Sequence, residues 1–181
     1  MLAKELKIIE YEKFLLDSTT LAKFLLGKII KYKNSAGIIV ETESYPHMEE
    51  ASHSARGRTG RKSVLFKKGG VIYTYKIFNN VCLNVVSGPP ESGESVFIRE
   101  VMVIKEGRIL KTQIFGPGKW TALFGIQNDI IGKLVNTPES IYLLYGIEVP
   151  EDKIKKLPRI GIKKGKEKLL RFSIKKYILS L

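Results

Sequence analysis

The sequence predicts an α+β fold: a single domain over residues 1–181, built around a curved, mainly antiparallel sheet with a protruding β-hairpin and flanking helices. Two pairs of strand-like runs are each joined by a tight turn, which implies antiparallel pairing, because a parallel pair needs a crossover of a dozen or so residues. Helical signals are few and short, unlike the regular strand–helix alternation of a parallel sheet. No repeat or linker interrupts the 181 residues, and with 44% of them hydrophobic one core is sufficient.

Taken in order, residues 5–15 carry apolar positions at mixed spacing and read as a short helix packed on the body. Ser18 or Thr19 caps a clearer helix over residues 21–26, and Gly27 ends it. Residues 28–33 form an Ile-rich strand, and Asn34-Ser35-Ala36-Gly37 the turn into a second strand, residues 38–45. The composition from residue 46 to residue 70 turns polar and basic, and a loop of that length in a compact domain is either functional or disordered. Residues 71–78 and 81–86 make a second hairpin about Asn79-Asn80, with Phe78 at its tip. A strand over residues 95–104 carries Arg99 in an apolar setting, residues 110–115 are strand-like, and Gly116-Pro117-Gly118-Lys119 opens a helix. An apolar segment at 141–145, a basic stretch at 153–168, a final strand at 169–174 and an amphipathic tail complete the chain.

Charge is the outstanding bulk property. With 31 Lys and Arg against 18 Asp and Glu, the net charge of +13 favours a polyanionic partner, nucleic acid or a membrane surface, over a neutral metabolite. Cys82 is the only cysteine, which excludes a disulfide framework and a cysteine zinc site. His47 and His53 match no zinc-ligand spacing, so neither a metal nor another cofactor is expected. The first residues mix charge into their apolar pattern too early for a signal peptide, and no apolar run approaches membrane-spanning length. The expectation is a soluble monomer that is not secreted, cytoplasmic with the nucleoid or nuclear.

The chemistry concentrates in Ile39-Val40-Glu41-Thr42-Glu43-Ser44-Tyr45, where an apolar run becomes two carboxylates and a tyrosine. Strand alternation points Glu41, Glu43 and Tyr45 one way, with Thr42 and Ser44 the other. The two acids stand roughly 6.5 to 7 Å apart along a strand. That spacing allows either an acid–base pair of the kind sugar hydrolases use or one reactive acid beside one engaged by a basic neighbour. Gly118-Lys119 is not a phosphate-binding loop, because Gln113 stands where that motif needs glycine and Trp120 where it needs Ser or Thr.

The ordered set Leu21-Ala22-x-x-Leu25-Leu26-Gly27, Glu41-Thr42-Glu43-Ser44-Tyr45, Ser52-His53-Ser54 and Val71-Ile72-Tyr73-Thr74-Tyr75 resembles the alkyladenine (3-methyladenine) DNA glycosylase family. Asn84, Arg99, Gly116-Pro117-Gly118-Lys119, Arg159-Ile160-Gly161-Ile162 and Arg171-Phe172 follow in the family's order, so the likeness runs from about residue 18 to residue 174. The resemblance implies a monofunctional enzyme that flips alkylated or deaminated purines from duplex DNA and hydrolyses the N-glycosidic bond, without a cofactor. By the same likeness Glu43 is the general base, Arg99 and a main-chain carbonyl near Gly161-Ile162 help hold it and its water, and Tyr45, His53 and Tyr75 wall the base pocket. Asn84 stands at the pocket edge, and Phe78, where the family usually has tyrosine, is the wedge in the minor groove. The basic loop, Arg56, Arg58, Arg61 and Lys62, together with Lys119, meets the DNA backbone. Two other readings are a non-catalytic nucleic-acid binding module of the same fold and a hydrolase of free nucleosides. The latter has no use for a wedge or a charge excess, and the former none for Glu43 and Arg99 together.

Overall fold

The computed structural model describes residues 7–105 and 108–180. Of the helix expected over residues 5–15, the first two residues lie outside the described ones, and the remainder is not α-helical. Ile8 bridges Leu144, and a 3-10 turn follows at Tyr11–Leu15. The backbone of this segment serves a strand instead: Ile9 N–H donates to the Leu143 carbonyl and Tyr145 N–H to that of Lys7.

Helix α1 (Ser18–Phe24) is capped by Asp17, whose carboxylate accepts from Thr19 and Thr20 N–H, and not by Ser18 or Thr19. Ser18 is buried and its amide donates to Glu94, so it already has another partner. Gly27, at φ 77, ends this region where a Cβ would collide with the Ile147 carbonyl. Strands β1 (Ile29–Tyr32) and β2 (Ser35–Tyr45) turn at Lys33-Asn34, with Lys33 at φ 51. The turn is thus earlier and tighter than expected, and Ser35, Ala36 and Gly37 are paired strand residues.

The loop from residue 46 to residue 70 folds into two 3-10 turns, His53–Arg56 and Gly60–Phe66, the second anchored by buried Leu65. Strands β3 (Ile72–Ile77) and β4 (Asn80–Ser87) make the second hairpin. Asn80 pairs with Ile77, so the two tip residues are Phe78 and Asn79 rather than the Asn pair. Next come β5 (Glu94–Lys105), β6 (Arg108–Phe115), α2 (Pro117–Leu123) and β7 (Tyr142–Leu144). The basic stretch hides an unexpected strand, β8 (Lys155–Leu157), followed by β9 (Arg171–Ser173) and α3 (Lys175–Ser180).

Among the described residues the nine strands belong to one antiparallel sheet, with β3-β4-β5-β2-β1-β7 as its path, β6 paired to β5, and β8 to β9. The centre is β2. It pairs with β5 along most of its length, with β1 over its first half and with β9 at Glu41–Glu43, where irregular register around Glu41 marks a bulge. Leu21, Ile30, Ile39, Ile98, Trp120 and Phe172 lie in the core that backs this strand. Helix α2 braces the second hairpin: Thr121 Oγ1 donates to the Val81 carbonyl at 2.8 Å, and Gly118 sits so close to Asn80 that no Cβ fits.

Candidate active site

Strand β2 turns polar at Glu41 without leaving the interior, and Glu41, Thr42, Glu43 and Ser44 are all buried. Such groups are costly to remove from water unless partnered. Alternation sorts their partners onto two sides. Thr42 Oγ1 donates to the Ala22 carbonyl at 2.8 Å and Ser44 Oγ to Ser18 Oγ at 2.9 Å, both toward α1. Glu41, Glu43 and Tyr45 take the other face.

Arg99 on β5 stands between the two acids, Nε donating to Glu41 Oε1 and Nη1 to Glu43 Oε1, each at 3.3 Å. Glu43 Oε1 also accepts from the Ile160 amide at 3.0 Å, and its Oε2 from the Tyr45 hydroxyl at 2.9 Å. That main-chain N–H lies one residue before the Gly161-Ile162 segment whose carbonyl was expected to help hold the water. Burial pushes the Glu43 carboxyl above its ordinary value, against the opposing pull of Arg99, the Ile160 amide, the Tyr45 hydroxyl and Arg159.

A second buried acid steadies the other side. Arg159 donates to Glu49 Oε1 at 2.8 Å and to the Ser44 carbonyl at 3.1 Å, and lies over the Tyr45 ring at 4.8 Å; Lys168 closes on Glu49 Oε2 at 2.7 Å. This arrangement seats the segment carrying Ile160 against the end of β2.

Tyr45, Arg99 and Ile160, the three residues that hold Glu43, also line a pocket of about 1230 Å³. Its walls include His53, Tyr73, Tyr75, Asn84 and Phe97. His53 Nδ1 meets the Tyr73 hydroxyl at 2.7 Å, and its ring lies 4.6 Å from that of Tyr75. Burial, with the charges of Arg56 and Lys62, holds His53 below its ordinary value, so it is neutral at pH 7. Burial pushes the Tyr45 and Tyr75 phenols up, which keeps them neutral too. Asn84 pairs with Tyr73 across the β3–β4 ladder. Around the opening stand Arg56, Arg61 and Lys62 from one loop and Lys163 and Lys164 from the C-terminal segment.

Two of the basic residues expected to face DNA lie apart from this lining. Arg58 pairs with Glu91 and stacks over the Phe66 ring at 4.3 Å, while Lys119 is exposed on α2. Phe78 projects at the hairpin tip with 93% of its surface exposed. Sequence reasoning missed Glu49, Tyr73, Lys163 and Lys164, and gave no role to Arg159 or Arg171. The available signal was an arginine between Pro158 and Gly161 in a lysine-rich stretch, and a single arginine in the final strand. Among the described residues no group of three or more His, Cys, Asp or Glu side chains gathers as a metal site would require. A second cavity of about 830 Å³, bounded by Tyr32, Lys133 and Tyr142, shares none of these residues.

Comparison of the sequence with known proteins points to one family. A sequence profile described as methylpurine-DNA glycosylase matches residues 12–178. Relatives provisionally named 3-methyladenine DNA glycosylase include one from Ehrlichia chaffeensis, 38% identical over 160 residues, covering 87% of this chain and 88% of its own. Another, from Wolbachia sp. subsp. Brugia malayi, is 39% identical over 152 residues, 83% of this chain and 87% of its own. A third, from the archaeal genus member Methanoculleus marisnigri, is 34% identical over 174 residues, 88% and 91% of the respective chains. The protein is thus a DNA glycosylase, a hydrolase of N-glycosyl compounds, which sets aside the non-catalytic and free-nucleoside readings. It belongs to the methylpurine-DNA glycosylase family.

Proposed function

We propose that this enzyme rotates an alkylated or deaminated purine nucleotide out of duplex DNA into the aromatic pocket and cleaves its N-glycosidic bond with a water activated by Glu43. The observation that carries this reading is the occupancy of the Glu43 carboxylate. An ionised carboxylate offers about four acceptor positions. The Ile160 amide and Arg99 take two on Oε1 and the Tyr45 hydroxyl one on Oε2, which leaves one on Oε2 for a water. As the base departs, the water oxygen bonds to C1′, Glu43 accepts its proton, and the bonding pair leaves with the purine. The carboxylate charge also stabilises oxocarbenium character at the sugar.

Tyr45, His53 and Tyr75 supply ring faces for a purine, with added attraction for a cationic alkylated base. A cationic base leaves readily. A neutral one such as hypoxanthine needs a proton, and neutral His53 is a poor source of it. Asn84 stands at the edge where it opposes the exocyclic amine of guanine. Phe78 acts as the wedge that fills the gap left by the flipped nucleotide, an apolar side chain without hydrogen-bonding demands. Arg56, Arg61 and Lys62, with Lys163 and Lys164 opposite, meet phosphates on the two sides of the opening, and Arg58 and Lys119 contact the backbone further out.

The test is incubation with methylated duplex DNA, and with duplexes carrying one hypoxanthine or one ethenoadenine, followed by detection of abasic sites. Glu43→Gln is expected to abolish release while retaining lesion binding. Continued turnover by that variant would place the base elsewhere.

A further inference from the structure

We infer that Glu41 is a positioning residue, which sets the guanidinium of Arg99 against Glu43 by way of a buried ion-pair chain completed by the C-terminal segment. The inference rests on Glu43 as the base. Glu41 and Glu43 are both buried, at 1% and 0% exposed, and neither is itself among the pocket-lining residues; what separates them is that Tyr45 and Ile160, which hold Glu43, line the pocket, whereas Arg171 and Lys175, which hold Glu41, do not. Its carboxylate is engaged on both oxygens. Oε1 accepts from Arg99 Nε at 3.3 Å and Arg171 Nη1 at 3.1 Å; Oε2 accepts from the same Arg171 nitrogen at 3.1 Å and lies 3.8 Å from Lys175 Nζ.

The guanidinium is a planar fork with fixed donor directions. Because Arg99 gives Nε to Glu41 and Nη1 to Glu43, the position of Glu41 sets the plane in which Arg99 approaches Glu43. Sharing matters as well as aim. Arg99 committed wholly to Glu43 would hold that carboxylate as a tight ion pair and a weaker base, whereas Glu41 takes part of its charge. Arg171 ties this chain to the other support of Glu43: its Nε donates to the Pro158 carbonyl at 2.8 Å, two residues before the Ile160 amide. Strand pairing makes the connection, since Arg171 lies opposite Glu43 in the β2–β9 ladder.

The charged and titratable groups around Glu43 are Tyr45 on β2, Tyr75 on β3, Arg99 on β5 and Arg159 before Ile160; Glu41, Arg171 on β9 and Lys175 on α3 stand one step out. Loss of the Glu41 charge makes Glu43 a weaker base. Single-turnover release of methylated purines from methylated duplex DNA is therefore expected to fall on the order of 10- to 100-fold in Glu41→Gln, the worth of one charged hydrogen bond. The acid limb of the rate profile should move to lower pH, and DNA affinity should stay within about twofold, as for a side chain that does not touch substrate.

In an Arg99→Gln background the same substitution should cost nothing further in plateau rate. Multiplying losses, an unmoved acid limb or a wild-type rate would each overturn the inference. If Glu41→Gln does not fold, Arg171→Lys decides, because it keeps the charge and loses the fork. A several-fold slower release at unchanged affinity supports the chain, and an unchanged rate removes it. Glu43→Gln run alongside separates the two ideas: release by that variant sinks the base assignment itself, while a dead Glu43→Gln beside a fully active Glu41→Gln sinks only the role of Glu41.

Discussion

Glu43 and Tyr45 show how a strand tip becomes chemistry. Burial raises the Glu43 pKa above 4.5, so the acid limb of the release profile should lie above the ordinary carboxylate range. Tyr45→Phe removes a donor to the charged form and should move that limb to still higher pH. An unmoved limb in Tyr45→Phe would mean that this hydrogen bond does not act on the catalytic ionisation. The same shift has a consequence for folding. Where the folded pKa is raised, the stabilising contribution is complete below the unfolded value near 4.5 and is lost as pH rises through the folded one. Ionised Glu43 therefore costs stability at pH 7. Glu43→Gln should melt at or above the wild-type temperature at pH 7 and lose that advantage near pH 4, and a lower melting temperature at pH 7 would contradict the ionised, strained state. The alternation of Glu41, Glu43 and Tyr45 was legible in the sequence because side-chain direction in a strand is local. The inward burial of all four polar residues was not, since charged residues lie mostly at the surface.

At the scale of elements, the hairpin of β3 and β4 is buried along most of its length and carries Phe78 exposed at its tip, and α2 is its brace. Phe78→Ala should weaken lesion affinity and slow single-turnover release, and unchanged values would refute the wedge. Gly118→Ala, which forces a Cβ into Asn80, should reproduce part of that loss without touching the pocket lining, read as the same two quantities. Turn chemistry placed the hairpins correctly to within three residues. The displaced turns at Lys33-Asn34 and Phe78-Asn79 put non-glycine residues at positive φ, which propensity disfavours and strand pairing imposes. Strand β8 escaped notice for a related reason: exposed Lys155 and Lys156 read as a solvated stretch, although lysine is a common occupant of edge strands.

For the whole molecule, the net charge of +13 predicts an electrostatic grip on DNA. Contacts from both sides of the pocket opening release counterions, so log affinity should fall linearly with log salt, by roughly 0.9 per phosphate contacted. Neutralising Lys163 and Lys164 together should lower the slope by about 2. A flat salt response, or a slope unchanged in that variant, would assign the charge another purpose.

What the sequence determined by itself was the class of sheet, the hairpins, the basic character and the strand face bearing two acids, all properties of local pattern and composition. Which acid is poised was decided only by the tertiary structure. Arg171, 130 residues away, engages Glu41, while the Ile160 amide, 117 residues away, and Tyr45 hold Glu43 against the pocket. Periodicity aims a side chain, but its burial, partners and basicity belong to groups that only folding brings together.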